Sequence, residues 1–379
     1  IGRTNGVIVY ADQDVKGLTA TADTASLFVQ TTNGSIEGST LIAENIAKLS
    51  AGSNILDNSI TATGNAATTI VAGTNADIEQ ALIDGNVVTV GGALVLDGSG
   101  KTFVSDNTIG AVGNLTVRNV LGSSANTYTT NGNFVFNSAD ANTVNDTVTA
   151  TGNATITAGI ASELSVDAGG YAFVTARRLE LSDIKANDNV RITADEVAGN
   201  DILSETGLVS ITAAANVATN AITAAGNVTV NAGEQIVGNT ITTAGAATLA
   251  ADNITNNNVS ATGNLSATAT TSVVGGTYTT AGIAAVTGAY VGSLTVAATG
   301  NATITSGSDV ENAAVRGAIV NVTAADNVAN VDIVSTGASV LTATAGNITG
   351  SGIAAGTTAD LTAGNEIDGT DVTAGTDIT

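Results

Sequence analysis

The residues of this sequence best suited to chemistry are the neighbours Arg177 and Arg178. An arginine base working with carboxylates could eliminate across an acidic sugar, but acid–base chemistry needs a cleft that perturbs pKa values. Successive strand residues point to opposite faces, so we expect Arg177 and Arg178 to face apart. The chain also contains no His and no Cys. We therefore predict a protein that is not an enzyme, with no catalytic, cofactor-binding or metal-binding residues.

Two further patterns suggest binding rather than catalysis. GNDIL at Gly199–Leu203 resembles part of a calcium-binding nonapeptide, but that motif works in tandem copies and this one is single. Scattered Asp and Glu leave room for weak surface binding of calcium and no more. The pairs Thr155/Thr157 and Thr303/Thr305 suit a flat ice-binding face, although most repeats place Asn, Ser or Ala at one of these positions.

The elements that carry these residues come from a repeat of about 19 residues, represented by Gly226–Ala244, GNVTVNAGEQIVGNTITTA. Val228 and Val230 alternate with polar residues, which is the period of a short strand with one apolar face. Ile236 and Ile241 mark two more short apolar points, separated by Gly and Asn. This pattern predicts three short strands with turns between them.

Three columns of residues keep this step of 18 to 20 positions along the chain. A small residue after the first strand recurs at Ala158, Ala176, Ala194, Ala213, Ala232, Ala251, Ala269, Gly288, Ser306, Ala324, Ala343 and Ala363. A middle apolar column contains Val197, Val217, Ile236, Ile254, Val273, Val291, Val310, Val328, Ile348 and Ile367. A third column contains Ile109, Tyr128, Val148, Val166, Ile184, Leu203, Ile222, Ile241, Val259, Tyr278, Val296, Val315, Ile333, Ile353 and Val372.

Fixed self-similarity at this period predicts a solenoid, because each coil is too short to bury its own apolar residues and must stack on its neighbours. The fold class is therefore all-β, a parallel β-helix of about 19 coils of about 19 residues, with strands about 4.8 Å apart. We expect right-handed winding, since parallel crossovers overwhelmingly take that hand. The absence of Pro agrees with strands that all need their N–H groups.

We treat residues 1–379 as one solenoid segment, which we expect to be a fragment of a longer chain or a stacking subunit. Coils are regular over 6–63, irregular with insertions over 64–112, and regular again over 113–379. The long loops lie at 73–108, and GNVVTVGGALVL at 85–96 is predicted to form a hairpin that leaves the coil.

The corners of the coils are rich in Gly and Asn. The Gly-Asn pair that opens many repeats is predicted to be a turn in which both residues tolerate positive φ. A second set of asparagines at another corner is predicted to stack by hydrogen bonds between coils. Its members are Asn200, Asn220, Asn239, Asn258, Asn312 and Asn330.

The charge of the chain limits its partners. The net charge is −23, the pI is about 4.1, and Arg316 is the only basic residue after Arg191. Such acidity opposes binding to nucleic acid or to an anionic membrane. The sequence also has no apolar run long enough to insert in a membrane.

The repeat G-N-Φ-T-Φ-x-A, followed by Ile, Asn and Ile, resembles the haemagglutinin repeats of filamentous-haemagglutinin-like large exoproteins. The resemblance covers roughly residues 6–379. It implies a right-handed β-helical shaft of a bacterial adhesin at a Gram-negative cell surface, exported by two-partner secretion or a related route. It implies a host or matrix receptor as partner and transfers no functional residue, because the repeat motif is structural.

Our leading hypothesis is therefore a non-enzymatic extracellular shaft of a bacterial surface adhesin or fibre. The alternative is a subunit of an extracellular filament or sheath, which joins neighbouring copies of itself end to end through unpaired coil edges. A polysaccharide-active enzyme and an ice-binding solenoid are the remaining classes.

Overall fold

A computed structural model of the protein describes residues 6–45, 47–64, 66–75 and 80–379, and the regular elements of these residues are all β-strands. The chain divides into two compact units, residues 1–193 and 194–379.

The strands that begin in the first unit are β1 (Val7–Ala11), β2 (Val15–Lys16), β3 (Thr19–Ala22), β4 (Leu27–Thr31), β5 (Ile36–Glu37), β6 (Thr40–Ala43), β7 (Ala47–Ser50), β8 (Ile55–Leu56), β9 (Ser59–Ala62), β10 (Thr68–Val71), β11 (Ala81–Asp84), β12 (Val87–Val90), β13 (Leu94–Ser105), β14 (Thr108–Ala111), β15 (Leu115–Ser124), β16 (Thr127–Thr130), β17 (Phe134–Val144), β18 (Thr147–Ala150), β19 (Ala154–Ser162), β20 (Ser165–Ala168), β21 (Ala172–Thr175), β22 (Arg178–Glu180), β23 (Asp183–Ala186) and β24 (Val190–Ala198).

The strands of the second unit are β25 (Asp201–Ser204), β26 (Val209–Ala218), β27 (Ala221–Ala224), β28 (Val228–Ala232), β29 (Gln235–Val237), β30 (Thr240–Thr243), β31 (Ala247–Thr255), β32 (Asn258–Ala261), β33 (Leu265–Val274), β34 (Thr277–Thr280), β35 (Ala284–Gly288), β36 (Tyr290–Gly292), β37 (Thr295–Ala298), β38 (Ala302–Ser306), β39 (Val310–Glu311), β40 (Ala314–Gly317), β41 (Val320–Ala324), β42 (Val328–Ala329), β43 (Asp332–Ser335), β44 (Ser339–Ala343), β45 (Ile348–Thr349), β46 (Gly352–Ala355), β47 (Ala359–Ala363), β48 (Ile367–Asp368) and β49 (Asp371–Ala374).

Each coil contributes a first, a second and a third strand, and each strand pairs in parallel with its counterpart in the next coil. In β27, for example, Ile222 lies between Ile202 of β25 and Ile241 of β30. In several coils the first and second strands are continuous, as in β26. The predicted parallel β-solenoid of about 19 coils of about 19 residues is therefore confirmed.

The interior consists of the predicted aliphatic columns. Val217, Ile236 and Ile254 pair in register and are fully buried, as the middle column requires. One member of the third column was wrong: Ile202 occupies the buried position, whereas Leu203 faces outward. The two adjacent apolar residues fit the period equally well, and the sheet register decides between them.

The predicted hairpin over 85–96 is also wrong. Strand β12 pairs in parallel with β9 and β14, and β13 pairs in parallel with β10 and β15. The reason is that Val88 and Val90 extend the buried face of the third strands, which a departing hairpin would expose. The extra residues instead widen two corners of the coils. One widened corner lies within β13, where Thr102 Oγ1 donates to the Gly98 carbonyl at 2.8 Å. The other includes residues 72–75; residues 76–79 of the predicted long loop lie outside the described residues.

The left-handed backbone that each coil needs lies between the second and third strands. There the amide still donates to the next coil, as from Asp106 N to Ser124 O at 3.1 Å, which holds even non-glycine residues in this costly conformation. The residues with positive φ at this corner are Gly17, Gly38, Asp57, Gly85, Asp106, Ala125, Asn145, Glu163, Leu181, Gly199, Thr219, Gly238, Asn256, Gly275, Gly276, Ser293, Asn312, Asn330, Gly350 and Gly369.

The Gly-Asn pair at the start of a coil has a different role from the one predicted. Gly132 and Asn133 have no positive φ. Glycine is required there because a Cβ on Gly132 would lie 2.6 Å from Asn114 Oδ1 of the preceding coil. The asparagine side chain accepts from the next coil: Asn133 N donates to Asn114 Oδ1 at 2.9 Å, and Asn153 N donates to Asn133 Oδ1 at 2.8 Å.

Candidate functional site

A buried ladder of amides crosses five coils of the first unit, directly after the left-handed corner. In each step one asparagine donates from its backbone N and from Nδ2 to the side-chain oxygen of the next coil, at 2.8 to 3.0 Å. The members are Asn58, Asn86, Asn107, Asn126 and Asp146. Their polar groups are satisfied inside the solenoid, so this ladder stabilises the stack and presents nothing to a ligand.

The ladder ends on a carboxylate where the next coil places Leu164. Asp146 Oδ1 accepts from Asn126, and Oδ2 accepts from Thr143 Oγ1 at 2.8 Å. Burial raises the pKa of Asp146 above its ordinary value of 3.8 and outweighs the hydrogen bonds from Ser123, Asn126 and Thr143, which lower it. Because the carboxyl is easier to protonate when folded, it favours folding fully below pH 3.8, and this contribution is lost as pH rises through the raised folded pKa.

We therefore expect Asp146→Asn to raise the free energy of unfolding at pH 7, and this gain to vanish toward acid pH. The asparagine keeps an acceptor for Asn126, and its Nδ2 can donate to Thr143 Oγ1. The measurement is chemical unfolding of both proteins across pH, followed by circular dichroism. A difference in stability that is constant with pH would contradict a buried, titrating Asp146.

The second unit contains a similar buried ladder, which corrects the predicted set. Asn220 donates to Asn239, and Asn239 donates to Asn257, at 2.9 to 3.0 Å. Asn200 begins this ladder by donating to Asn220 Oδ1. Asn258 lies instead at the exposed start of β32. The two remaining predicted members, Asn312 and Asn330, lie in the left-handed corner. There Asn330 Nδ2 donates to Asn312 Oδ1 at 3.3 Å, at the surface.

A groove of about 680 Å³ lies in the first unit, at the corners within β13, β15 and β17. We call it the corner groove; its lining is Asp97, Ser99, Gly100, Asn119, Val120, Leu121, Asn137, Ser138, Ala139 and Asp140. Two of its residues, Ser99 and Asn119, have left-handed φ values of 53° and 54°. The groove is thus built by irregular corners of three successive coils.

A polar network fixes the wall of this groove. Asp97 accepts from Arg118 Nε at 2.8 Å, from Asn119 Nδ2 at 3.1 Å and from Ser99 N at 3.0 Å. Burial raises the pKa of Asp97, but the three hydrogen bonds and the charge of Arg118 lower it by more. The pKa of Asp97 therefore lies below its usual value. Asp97 is therefore a structural carboxylate, whereas Asn137 and Asp140 line the groove with exposed side chains. Amide and carboxylate oxygens of this kind suit the hydroxyl groups of a sugar.

Aromatic side chains are the other unusual feature of the surface. Aromatics are 3% of the chain, yet Tyr10 is 69% exposed, and its ring lies 5.5 Å from that of Phe28. Lys48 Nζ lies 5.2 Å from the Phe28 ring centroid. Further along the same outward face, Tyr171 and Phe173 stack with centroids 4.2 Å apart. Solvent-facing aromatics beside cations are typical of recognition surfaces.

The two arginines considered for acid–base catalysis do not form a catalytic site with other residues that the sequence singled out. Arg177 and Arg178 do not face apart, because Arg177 lies in the bend before β22 and both side chains are exposed. Arg178 Nη2 pairs with Glu180 at 3.2 Å.

The calcium-like and ice-binding patterns belong to the regular coil. Within Gly199–Leu203, Asn200 belongs to the buried ladder and Ile202 to the core. The pairs Thr155/Thr157 and Thr303/Thr305 lie on outward columns of first strands. Among the described residues, no three His, Cys, Asp or Glu side chains are placed to hold a metal ion together.

The corner groove and the outward aromatics were not predicted from the sequence.

No family model, curated protein or solved structure matches this chain. No helix among the described residues is long and apolar enough to cross a membrane.

Proposed function

We propose that this chain is a non-enzymatic shaft segment of an extracellular bacterial adhesin or surface fibre, and that the first unit contains its recognition surface. The single observation that carries the proposal is that a chain so poor in aromatics places Tyr10, Phe28 and Phe173 on the outward face of the first strands, with Tyr171 stacked on Phe173. These rings contribute little to the core, so binding explains their position.

The repeated coils support the role of a shaft. The side-chain amides at the corners bond to neighbouring coils, as in the ladders from Asn58 to Asp146 and from Asn200 to Asn257. Side-chain ladders and parallel backbone pairing act in the same direction, which suits an element that transmits force. The acidity of the chain favours solubility and opposes lateral aggregation.

Adhesion predicts that the exposed rings matter for attachment. We expect the double variant Tyr10→Thr/Phe28→Thr to reduce retention of protein-coated beads on a layer of extracellular matrix by roughly tenfold, the loss typical of aromatic anchors. Thr already occupies the outward column at Thr69 and Thr155, so the fold should be retained. The matched control is Thr155→Ser/Thr157→Ser, which alters the same face without removing a ring. Equal retention of the wild type and the double variant would remove the first aromatic pair from the recognition surface.

Electron microscopy of the purified chain at increasing concentration tests the shaft against the alternative of a filament subunit. Discrete particles of one size, independent of concentration, support a shaft. Fibres whose length grows with concentration would replace the proposal with end-to-end assembly.

A further inference from the structure

We propose that a shallow pocket beside Phe173 binds a carboxylated sugar, such as a uronic acid unit of an extracellular polysaccharide. This inference rests on the proposed adhesive function and specifies the class of ligand at one part of the recognition surface. The Phe173 pocket has a volume of about 260 Å³ and is lined by Phe173, Val174, Thr175, Arg191 and Thr193. All five residues belong to the first unit.

The parallel register arranges the side chains of the pocket. Strands β21 and β24 place Phe173 beside Arg191 and Thr175 beside Thr193. Ala172 and Val174 point into the core, so the residues that alternate with them point outward. Neighbours across the strands are about 4.8 Å apart and neighbours along a strand about 6.6 Å apart. A ring, a guanidinium and two hydroxyls thus border an area comparable to one sugar ring.

The Phe173 ring is held in place before any ligand arrives. Tyr171 stacks against it with planes 24° apart. The backbone of Tyr171 is itself fixed, since its N–H donates to Asn153 Oδ1 at 3.1 Å and its carbonyl accepts from Ala154 N at 2.9 Å. A pre-organised aromatic ring binds the C–H face of a sugar with little loss of side-chain entropy.

Arg191 supplies the preference for a carboxylate. Its side chain is exposed, and it has no ion-pair partner among the described residues, whereas Arg118 pairs with Asp97. A guanidinium binds a carboxylate through two parallel hydrogen bonds, which favours a sugar acid over a neutral sugar. The hydroxyls of Thr175 and Thr193 can both donate to and accept from sugar hydroxyls.

The overall acidity of the chain does not prevent this binding. Nine of the ten Lys and Arg residues precede position 194, since Arg316 is the only later one. In the two coils before Phe173, the outward first-strand positions hold Val135, Asn137, Thr155 and Thr157, none of them acidic. Carboxylates farther away than about 10 Å are largely screened at 0.1 M salt.

The test is calorimetric titration of the intact chain with trigalacturonic acid and, separately, with its methyl ester, which keeps the rings and removes the charge. We expect the acid to bind at least about tenfold more tightly than the ester, because the ester lacks the charge-assisted hydrogen bonds. Arg191→Gln should lower the affinity for the acid by about the same factor and leave the affinity for the ester nearly unchanged. Phe173→Thr should weaken both ligands.

Arg316→Gln is the matched control, because it makes the same change at an exposed arginine of the second unit, outside the proposed recognition surface. It should leave the titration unchanged, and circular dichroism checks that every variant keeps its strands. Equal affinity for acid and ester, unchanged binding by Arg191→Gln, or acetate binding as tightly as the trimer would each overturn the proposal. Discrete particles that attach to matrix without binding the trimer would contradict the sugar site and still support the shaft. Concentration-dependent fibres that still bind the trimer would contradict the shaft and support the sugar site.

Discussion

Ile222→Asp should destabilise the second unit by about 3–5 kcal/mol, because it places an unpaired carboxylate inside the column of aliphatic side chains. Ile222 is 1% exposed and lies in register between Ile202 and Ile241, both fully buried. Neither neighbour can accept a charge or donate a hydrogen bond. The effect should concentrate in strands β25, β27 and β30, since coils of a solenoid contact chiefly their neighbours.

Chemical unfolding and hydrogen exchange of β25, β27 and β30 measure this loss. The matched control is Thr223→Asp, one residue further along the same strand, where the side chain faces solvent. We expect it to change stability by less than about 0.5 kcal/mol. If Thr223→Asp were as harmful as Ile222→Asp, the assignment of inward and outward faces would be wrong.

Asn107→Leu should cost about 2–4 kcal/mol by interrupting the buried amide ladder of the first unit. Asn107 Oδ1 accepts from both the backbone N and Nδ2 of Asn86, and its own Nδ2 donates to Asn126 Oδ1 and to the Ile83 carbonyl. Leucine fills the space but satisfies none of these groups. The same column holds a buried leucine at Leu164, but it follows Asp146, whose side-chain oxygens accept from Asn126 and Thr143 and need no acceptor from the next coil.

Hydrogen exchange at the Asn86 backbone amide is the direct readout, since that N–H loses its acceptor. Asn142→Leu is the matched control: it makes the same change of residue on the exposed side of β17. We expect a change within about 0.5 kcal/mol for the control. Unaltered exchange at Asn86 in Asn107→Leu would show that the ladder contributes little.

The architecture could be predicted because the aliphatic residues of each coil repeat at a step that the sequence displays. The columns that contain Ile236 and Ile241 each repeat with a step of 18 to 20 residues. This step predicts both the number of coils and the parallel pairing of their strands. The wrong position in the third apolar column, Leu203, arose where two apolar residues are adjacent. The ladder resolves it, since each ladder amide lies two residues before a buried apolar residue, as Asn200 does before Ile202. The same spacing selects Asn257 rather than Asn258.

The surface features could not be predicted in the same way. Phe173 alternates with Ala172 and Val174, and hydrophobicity alone favours burying the larger side chain. The register of the columns puts Ala172 and Val174 inside, in line with the buried Ala154 and Ile156 of the preceding coil. The corner groove depends on left-handed residues such as Ser99 and Asn119, whose types give little sign of that conformation.

The most direct test of the account is disulfide formation between coils, which the absence of Cys in the chain makes clean. Thr129 and Thr149 are 20 positions apart in sequence but directly paired on the outward face of β16 and β18. Parallel neighbours about 4.8 Å apart meet the Cα separation of a disulfide, so Thr129→Cys/Thr149→Cys should cross-link quickly under mild oxidation. Thr129→Cys/Val148→Cys should not, because Val148 points into the core. Cross-linking of the offset pair, or none in the aligned pair, would contradict the stacking of these coils.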